Sequence, residues 1–238
     1  METSLGGPDA SWRTTMWTLV SRAREAKPEE RRRAIESLVA LYWRPVYGYI
    51  RRKGEPVEDA KDLTQAFFAD FLERESLANV SADRGRFRSY LRAAVGHFLS
   101  NEFERRTAAK RGGGAVVAMD FAAAEQDLAR APELPPDRAF ERAWAMDVLK
   151  RAIARLAGQV PAPDIDAFKR HLALEGRATY AELAAQLGCA EHDIANRLHR
   201  VRRRLMELVA EEVRGSVVGP KDVLDEVREI FRAISENE

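Results

Sequence analysis

The chain has 238 residues, 45% hydrophobic and 32% charged, which fits a globular protein of two small domains better than one large one. Its single cysteine, Cys189, excludes an intramolecular disulfide, and no apolar run approaches the ~18 residues that span a bilayer. The net charge of +1 conceals local blocks: eight Arg or Lys against two Glu between Arg84 and Arg111, five arginines and no acid from Arg197 to Arg204, and an acidic end beyond Asp222. Such blocks point to discrete polyanion-binding faces on a near-neutral chain.

The opening METSLGGPDASWRTTMW lacks the basic-then-apolar form of a signal peptide, so the expectation is a soluble, cytoplasmic protein. Nearly every patterned segment has helical period. In RRRAIESLVALYWRPVYGYIRRKGE, Ile35, Leu38, Val39, Tyr42, Val46 and Ile50 share one face, and Pro45 should interrupt or kink the helix. A second helix runs from about Pro56 to Arg74, with Leu63, Phe67 and Phe71 inward. A third follows SADRG, where Ser81 and Asp83 can cap RFRSYLRAAVGHFLSNEFERR. These make one helical domain over 14–109. Residues 110–136, with three glycines in a row and three prolines, read as a flexible linker.

Pro136 is placed to open the next helix, with Phe140, Trp144, Leu149 and Ile153 inward, and a second domain spans 137–215. Beyond Gly219-Pro220, residues 220–238 hold an amphipathic helix with Val223, Leu224, Val227, Ile230, Phe231 and Ile234 as its stripe. Such a stripe needs cover, and packing on the second domain is the default. The fold class is therefore all-α: two small helical domains, a linker and a C-terminal amphipathic helix.

The strongest local signal is TYAELAAQLGCAEHDIANRLHRVRRRLMELV. Thr179 caps a short helix, Gly188 makes the turn, and Ile194, Leu198, Val201 and Leu205 form the buried stripe of a second helix. That is the helix-turn-helix pattern, whose second helix enters the DNA major groove. Glu191, His192, Asn196, Arg197, Arg200, Arg203 and Arg204 fall on its outer face, where Arg and Asn can bond base edges or clamp phosphates. A second signal, RGRFRSYLRAAVGHFLSNEFERRTAAKR, mixes basic and hydrogen-bonding groups with aromatics, a combination suited to single-stranded nucleic acid. Phe87, Leu91 and Phe98 in it are read as core.

Two stretches in order, DAKDLTQAFFADFLE with FRSYLRAAVGHFLSNEFERR, then YAELAAQLGCAEHDIANRLHRVRRRL, resemble regions 2 and 4 of the extracytoplasmic-function (ECF) RNA polymerase sigma factors, and specifically the subgroup with an atypical acidic region 2.2 linked to Ser/Thr kinases. The resemblance covers most of 34–209. It implies a sigma factor that directs polymerase core to promoters and helps melt them in transcription initiation. The acidic helix, with Glu58, Asp59, Lys61, Asp62 and Gln65, would meet the clamp helices of the β′ subunit. Arg92, His97, Asn101, Arg105 and Arg106 fall where the family contacts minus-10 DNA. Glu191, His192, Asn196, Arg197, Arg200 and Arg203 fall on the minus-35 reading face, and the same region would touch the β flap.

The chain departs from the family pattern at two places. Gly96-His97 stands where Arg-Asn is usual, and Lys61 stands where the family has Glu, which makes the patch two charge units less negative. Lys61 can pair with Glu58 at i, i+3. Thr64, three residues on, has two readings. It is a phosphosite for a Ser/Thr kinase that would restore the missing acid, or, as its place on the apolar arc favours, a structural threonine bonding its own backbone. An anti-sigma factor is a further partner the resemblance allows. No phosphate loop or zinc-protease motif is present, and Cys189, His192 and His199 lack a fourth ligand, so neither enzyme, cofactor nor metal is expected. The alternatives are a stand-alone helix-turn-helix regulator and a helical adaptor binding polymerase or a kinase.

Overall fold

The computed structural model describes residues 20, 22–23, 27–73, 86–106, 119–171, 178–214 and 220–235. Among them the chain is all-helical, with no strand, and no helix is long and apolar enough to cross a membrane. It divides into two compact units, one of residues 1–146 with 214–238 and one of residues 147–213.

In the first unit, α1 (Pro28–Arg52) opens on a proline at its first position and carries Glu29 and Glu30 in its first turn and Arg51 and Arg52 in its last, matching the helix dipole at both ends. The helix runs unbroken through Pro45 although the Leu41 carbonyl loses its usual donor there. Pro45 is buried, so packing holds the turn that hydrogen bonding does not. The C-terminal half of α1 is buried on two faces. One takes α2 (Val57–Glu73), whose Leu63, Phe67 and Phe71 are buried as their spacing requires, and α3 (Phe87–Arg106), where Phe87 meets Tyr42 edge-on at 5.3 Å and Phe98 meets Phe67 at 5.6 Å.

The other face takes a helix inside the stretch expected to be linker. This α4 (Phe121–Arg130) is capped by Asp120, whose carboxylate accepts from the Ala123 N–H at 3.0 Å. Phe121 packs on Trp43 and Tyr47 at 5.3 and 5.0 Å. Glu125 accepts from the Tyr47 hydroxyl and from Arg51 Nε, both at 2.7 Å, and Arg44 reaches Asp127 at 3.0 Å. Glycines and prolines flank this helix without extending into it, which is why composition concealed it.

The Arg51 hydrogen bonds above all, helped by Tyr47 and by the charge of Lys61, hold the Glu125 carboxyl below the usual carboxylate range against the effect of its burial. A depressed carboxylate stabilises the docked helix at pH values above its unfolded pKa, about 4.3, and loses that effect as pH falls through the folded value. Acidification is therefore expected to lower amide protection factors, corrected for intrinsic exchange, across 121–130 before those of the rest of the unit. Glu125→Ala should cost about 1–3 kcal/mol at neutral pH and abolish the early acid step. An unchanged acid profile in that variant would mean that another group holds α4.

The first unit is completed by the start of α5 (Pro136–Leu156) and by α9 (Pro220–Ser235). The C-terminal helix thus belongs with α3 and not, as the sequence suggested, with the helix-turn-helix. Its inner face also differs from the predicted stripe. Val227 and Ile230 are buried, but Leu224 is 61% exposed and Glu226 is fully buried.

In the second unit, the end of α5, α6 (Ala162–His171), α7 (Tyr180–Leu187) and α8 (Glu191–Val213) enclose a core of Leu156, Ile165, Phe168, Leu183, Ile194, Leu198, Val201, Leu205 and Leu208. Arg151 and Arg155 of α5 reach Glu212 of α8 at 3.0 and 2.9 Å.

Candidate nucleic-acid interface

In the second unit the helix-turn-helix is built from its caps. The Thr179 hydroxyl accepts from the Glu182 N–H and the Glu182 carboxylate accepts from the Thr179 N–H at 2.8 Å, a reciprocal capping box at the start of α7. Gly188 ends that helix at φ 62°, ψ 39°, a left-handed conformation that favours glycine, and the Cys189 N–H bonds back to the Ala184 carbonyl at 3.1 Å. Asp193 then accepts from the Ala190 N–H at 3.3 Å as α8 begins. The predicted stripe Ile194, Leu198, Val201 and Leu205 is buried, which turns the opposite side outward.

The outward residues sort into two groups. Glu191, His192, Asn196, Arg200 and Arg203 are exposed, and His199 and Arg202, which the sequence reading left out of the site, are exposed beside them. His192, Asn196, His199, Arg200 and Arg203 follow at i, i+4, i+7, i+8 and i+11, a single helical stripe. Arg197 and Arg204 behave differently. Arg197 bonds the buried Asp164 of α6 at 3.2 Å, and Arg204 bonds Gln159 and Glu207 at 2.6 and 2.7 Å. Both brace α8 against its own unit, and Arg197 is only half-exposed, so its place is at the margin of the reading face.

In the first unit, α3 carries the other predicted DNA contacts. His97 and Asn101 are exposed, one turn apart, and Phe103, on a different face of the same helix, is 73% exposed, a ring that the core does not use. Arg92 is held by Asp137 at 3.3 Å and Glu141 at 3.2 Å, both from the first turns of α5. Arg105 and Arg106 lie in the last turn of α3, and their side chains fall outside the described residues. Gly96, where the family pattern has Arg, faces α1: an added Cβ would meet the Tyr49 hydroxyl at 3.4 Å.

Along α2, Glu58, Asp59, Asp62 and Gln65 are exposed and Lys61 is half-exposed, its Nζ 2.7 Å from Glu58 Oε1. This is the local pair that the spacing allowed, and it draws one carboxylate of the patch onto a cation. Thr64 is fully buried, and its Oγ1 donates to the Ala60 carbonyl at 2.7 Å. As a phosphosite it is closed while α2 is packed, because a kinase must reach a hydroxyl that no solvent touches.

No protein-family model matches the chain, and no curated protein matches it in sequence.

Proposed function

We propose that the chain is a sigma factor of the extracytoplasmic-function type, recruiting RNA polymerase core to promoters and helping to open them. The observation that carries this is the exposed stripe His192, Asn196, Arg200 and Arg203 on the second helix of a capped helix-turn-helix. It occurs in the same chain as the first unit, which exposes an acidic helix edge on α2 and, towards the end of α3, Asn101 and the unused ring of Phe103. A helix in the major groove reads base edges through such Arg and Asn side chains. The exposed Phe103 offers a stacking surface to an unpaired base, and His97 and Asn101, on another face of α3, can bond the edges of a different one. The acid edge of α2 suits a basic protein partner such as the clamp helices of the polymerase β′ subunit. In this reading Arg92 and Arg197 position the helices, and His199 and Arg202 join the phosphate-facing surface.

The test is run-off transcription with purified core on promoters enriched from a random-sequence library. Arg200→Ala with Arg203→Ala should lower promoter affinity by roughly 30-fold or more, from about 1–3 kcal/mol for each of two lost base contacts, and transcript yield with it. Core binding should be unchanged. Tight, specific binding of duplex DNA by the chain alone would make it a stand-alone regulator, and full activity of the double variant would make it an adaptor that does not read DNA.

A further inference from the structure

Arg86, just before α3, and Arg88 and Arg92 in its first half are each held by acids from a later part of the chain. Arg92 meets Asp137 and Glu141; Arg88 meets Glu141 at 2.6 Å and Glu226; Arg86 meets Glu226 at 3.0 Å. Glu226 is fully buried and Arg88 is 4% exposed, with the Arg88 guanidinium stacked 4.3 Å over the Trp144 ring. Arg142 holds the far end of α9 by donating to the Ala233 and Ile234 carbonyls at 3.3 and 2.7 Å. A helix whose inner face were wholly apolar would need no such arrangement. Instead α9 presents one carboxylate, at the centre of its contact, to the arginines of the helix assigned above to melted DNA.

We propose that α9 is an intramolecular stand-in for a nucleic-acid backbone: docked, its Glu226 occupies Arg86 and Arg88; undocked, it leaves them to the phosphates of a single strand. The inference rests on the sigma-factor reading of α3. Its physical basis is the small net contribution of a buried ion pair, since both charges regain full solvation in water and the Coulomb attraction only offsets that loss. Docking held this way is reversible, and a second anion competes for the same guanidinium groups by mass action. Arg favours phosphate and carboxylate alike, through the same planar fork of donors. The ligand class follows: the sugar-phosphate backbone of single-stranded DNA, which can run along α3 from Arg88 to the exposed Phe103, about 22 Å further along the helix.

The experiment uses the full chain and a fluorescein-labelled oligothymidylate, read by anisotropy at fixed salt and by amide exchange over α9. Two variants loosen α9 by separate routes. Glu226→Gln removes the competing charge, and Arg142→Ala releases the carboxyl end of α9 without touching α3. Oligothymidylate should speed exchange across 223–234 in the unaltered chain, and each variant should bind it roughly tenfold more tightly, as expected when a minor open state becomes a major one. The proposal is overturned if both variants speed α9 exchange yet leave affinity unchanged, or if oligothymidylate binds while α9 stays protected. It is equally overturned if no version binds oligothymidylate. Core-dependent transcription that survives any of these results leaves the sigma-factor reading standing; its absence sinks both.

Discussion

Arg88→Met is expected to destabilise the first unit by about 3 kcal/mol, the lower end of the range for breaking a buried ion pair. The lower end applies because Glu226 keeps Arg86 at 3.0 Å and Glu141 keeps Arg92 at 3.2 Å, so neither acid is wholly stranded. Burial pulls the Arg88 guanidinium below its usual pKa and Glu141 pushes it back, but an arginine stays charged throughout the working pH range. The cost is therefore electrostatic and steric, not a matter of titration. Adding Glu226→Leu should restore stability to within about 1 kcal/mol of the starting protein, because an apolar pair of similar volume replaces the ion pair without its desolvation penalty. Trp43 and Trp144 belong to the first unit and residues 147–213 contain no tryptophan, so fluorescence during urea unfolding follows the right part of the chain. A double variant no more stable than Arg88→Met would show that Arg88 acts through Trp144 and Glu141 alone, with α9 a bystander.

That cluster marks the boundary of what the sequence could disclose. Helical period found α1 to α3, α5 and α7 to α9 because each buries a stripe at spacing three or four, and the capping box at Thr179 with Gly188 at positive φ fixed the turn between α7 and α8 almost residue by residue. Three things escaped. The ten-residue α6 drew no separate reading between α5 and the helix-turn-helix. The helix α4 was hidden by its neighbours' composition, although Trp43 and Tyr47, which widen the apolar stripe of α1 beyond Ile50 on the side away from Leu38, were a sign that a second face needed cover. The register of α9 was misjudged because hydropathy scores Leu224 inward and Glu226 outward. The partner that reverses this is Arg88, some 140 residues away, and a long-range charge pair leaves no periodic trace. The same limit applies to Arg92 and Arg197. Sequence shows that an arginine is present, but whether it faces DNA or an acid on the next helix is settled only by packing.

Thr64→Glu and Lys61→Glu each place a carboxylate within one turn of α2, a change of one and of two charge units, but into opposite surroundings, and their outcomes should diverge accordingly. Thr64 is fully buried, so a carboxylate there must be desolvated or protonated, and the first unit should lose several kcal/mol or fail to fold. Thr64→Val should cost no more than about 1 kcal/mol, since the Ala60 carbonyl that the hydroxyl bonds already takes the helical N–H of residue 64. Lys61 is half-exposed, bonded to Glu58, which is itself 82% exposed, and acts on Glu125 more weakly than Arg51 or Tyr47, so Lys61→Glu should alter stability by less than about 1 kcal/mol while making the patch two charges more negative. If α2 meets a basic surface on polymerase core, Lys61→Glu should then tighten core binding, mainly through faster association, and the gain should fade as salt is raised. Thr64→Glu should give no such gain. The opposite pattern, a folded and activated Thr64→Glu beside an inert Lys61→Glu, would mean that α2 opens in the working protein and exposes the threonine to a kinase. Activation by both, larger for Lys61→Glu with its two-unit change, would place the effect in net charge alone, wherever on the helix it is carried.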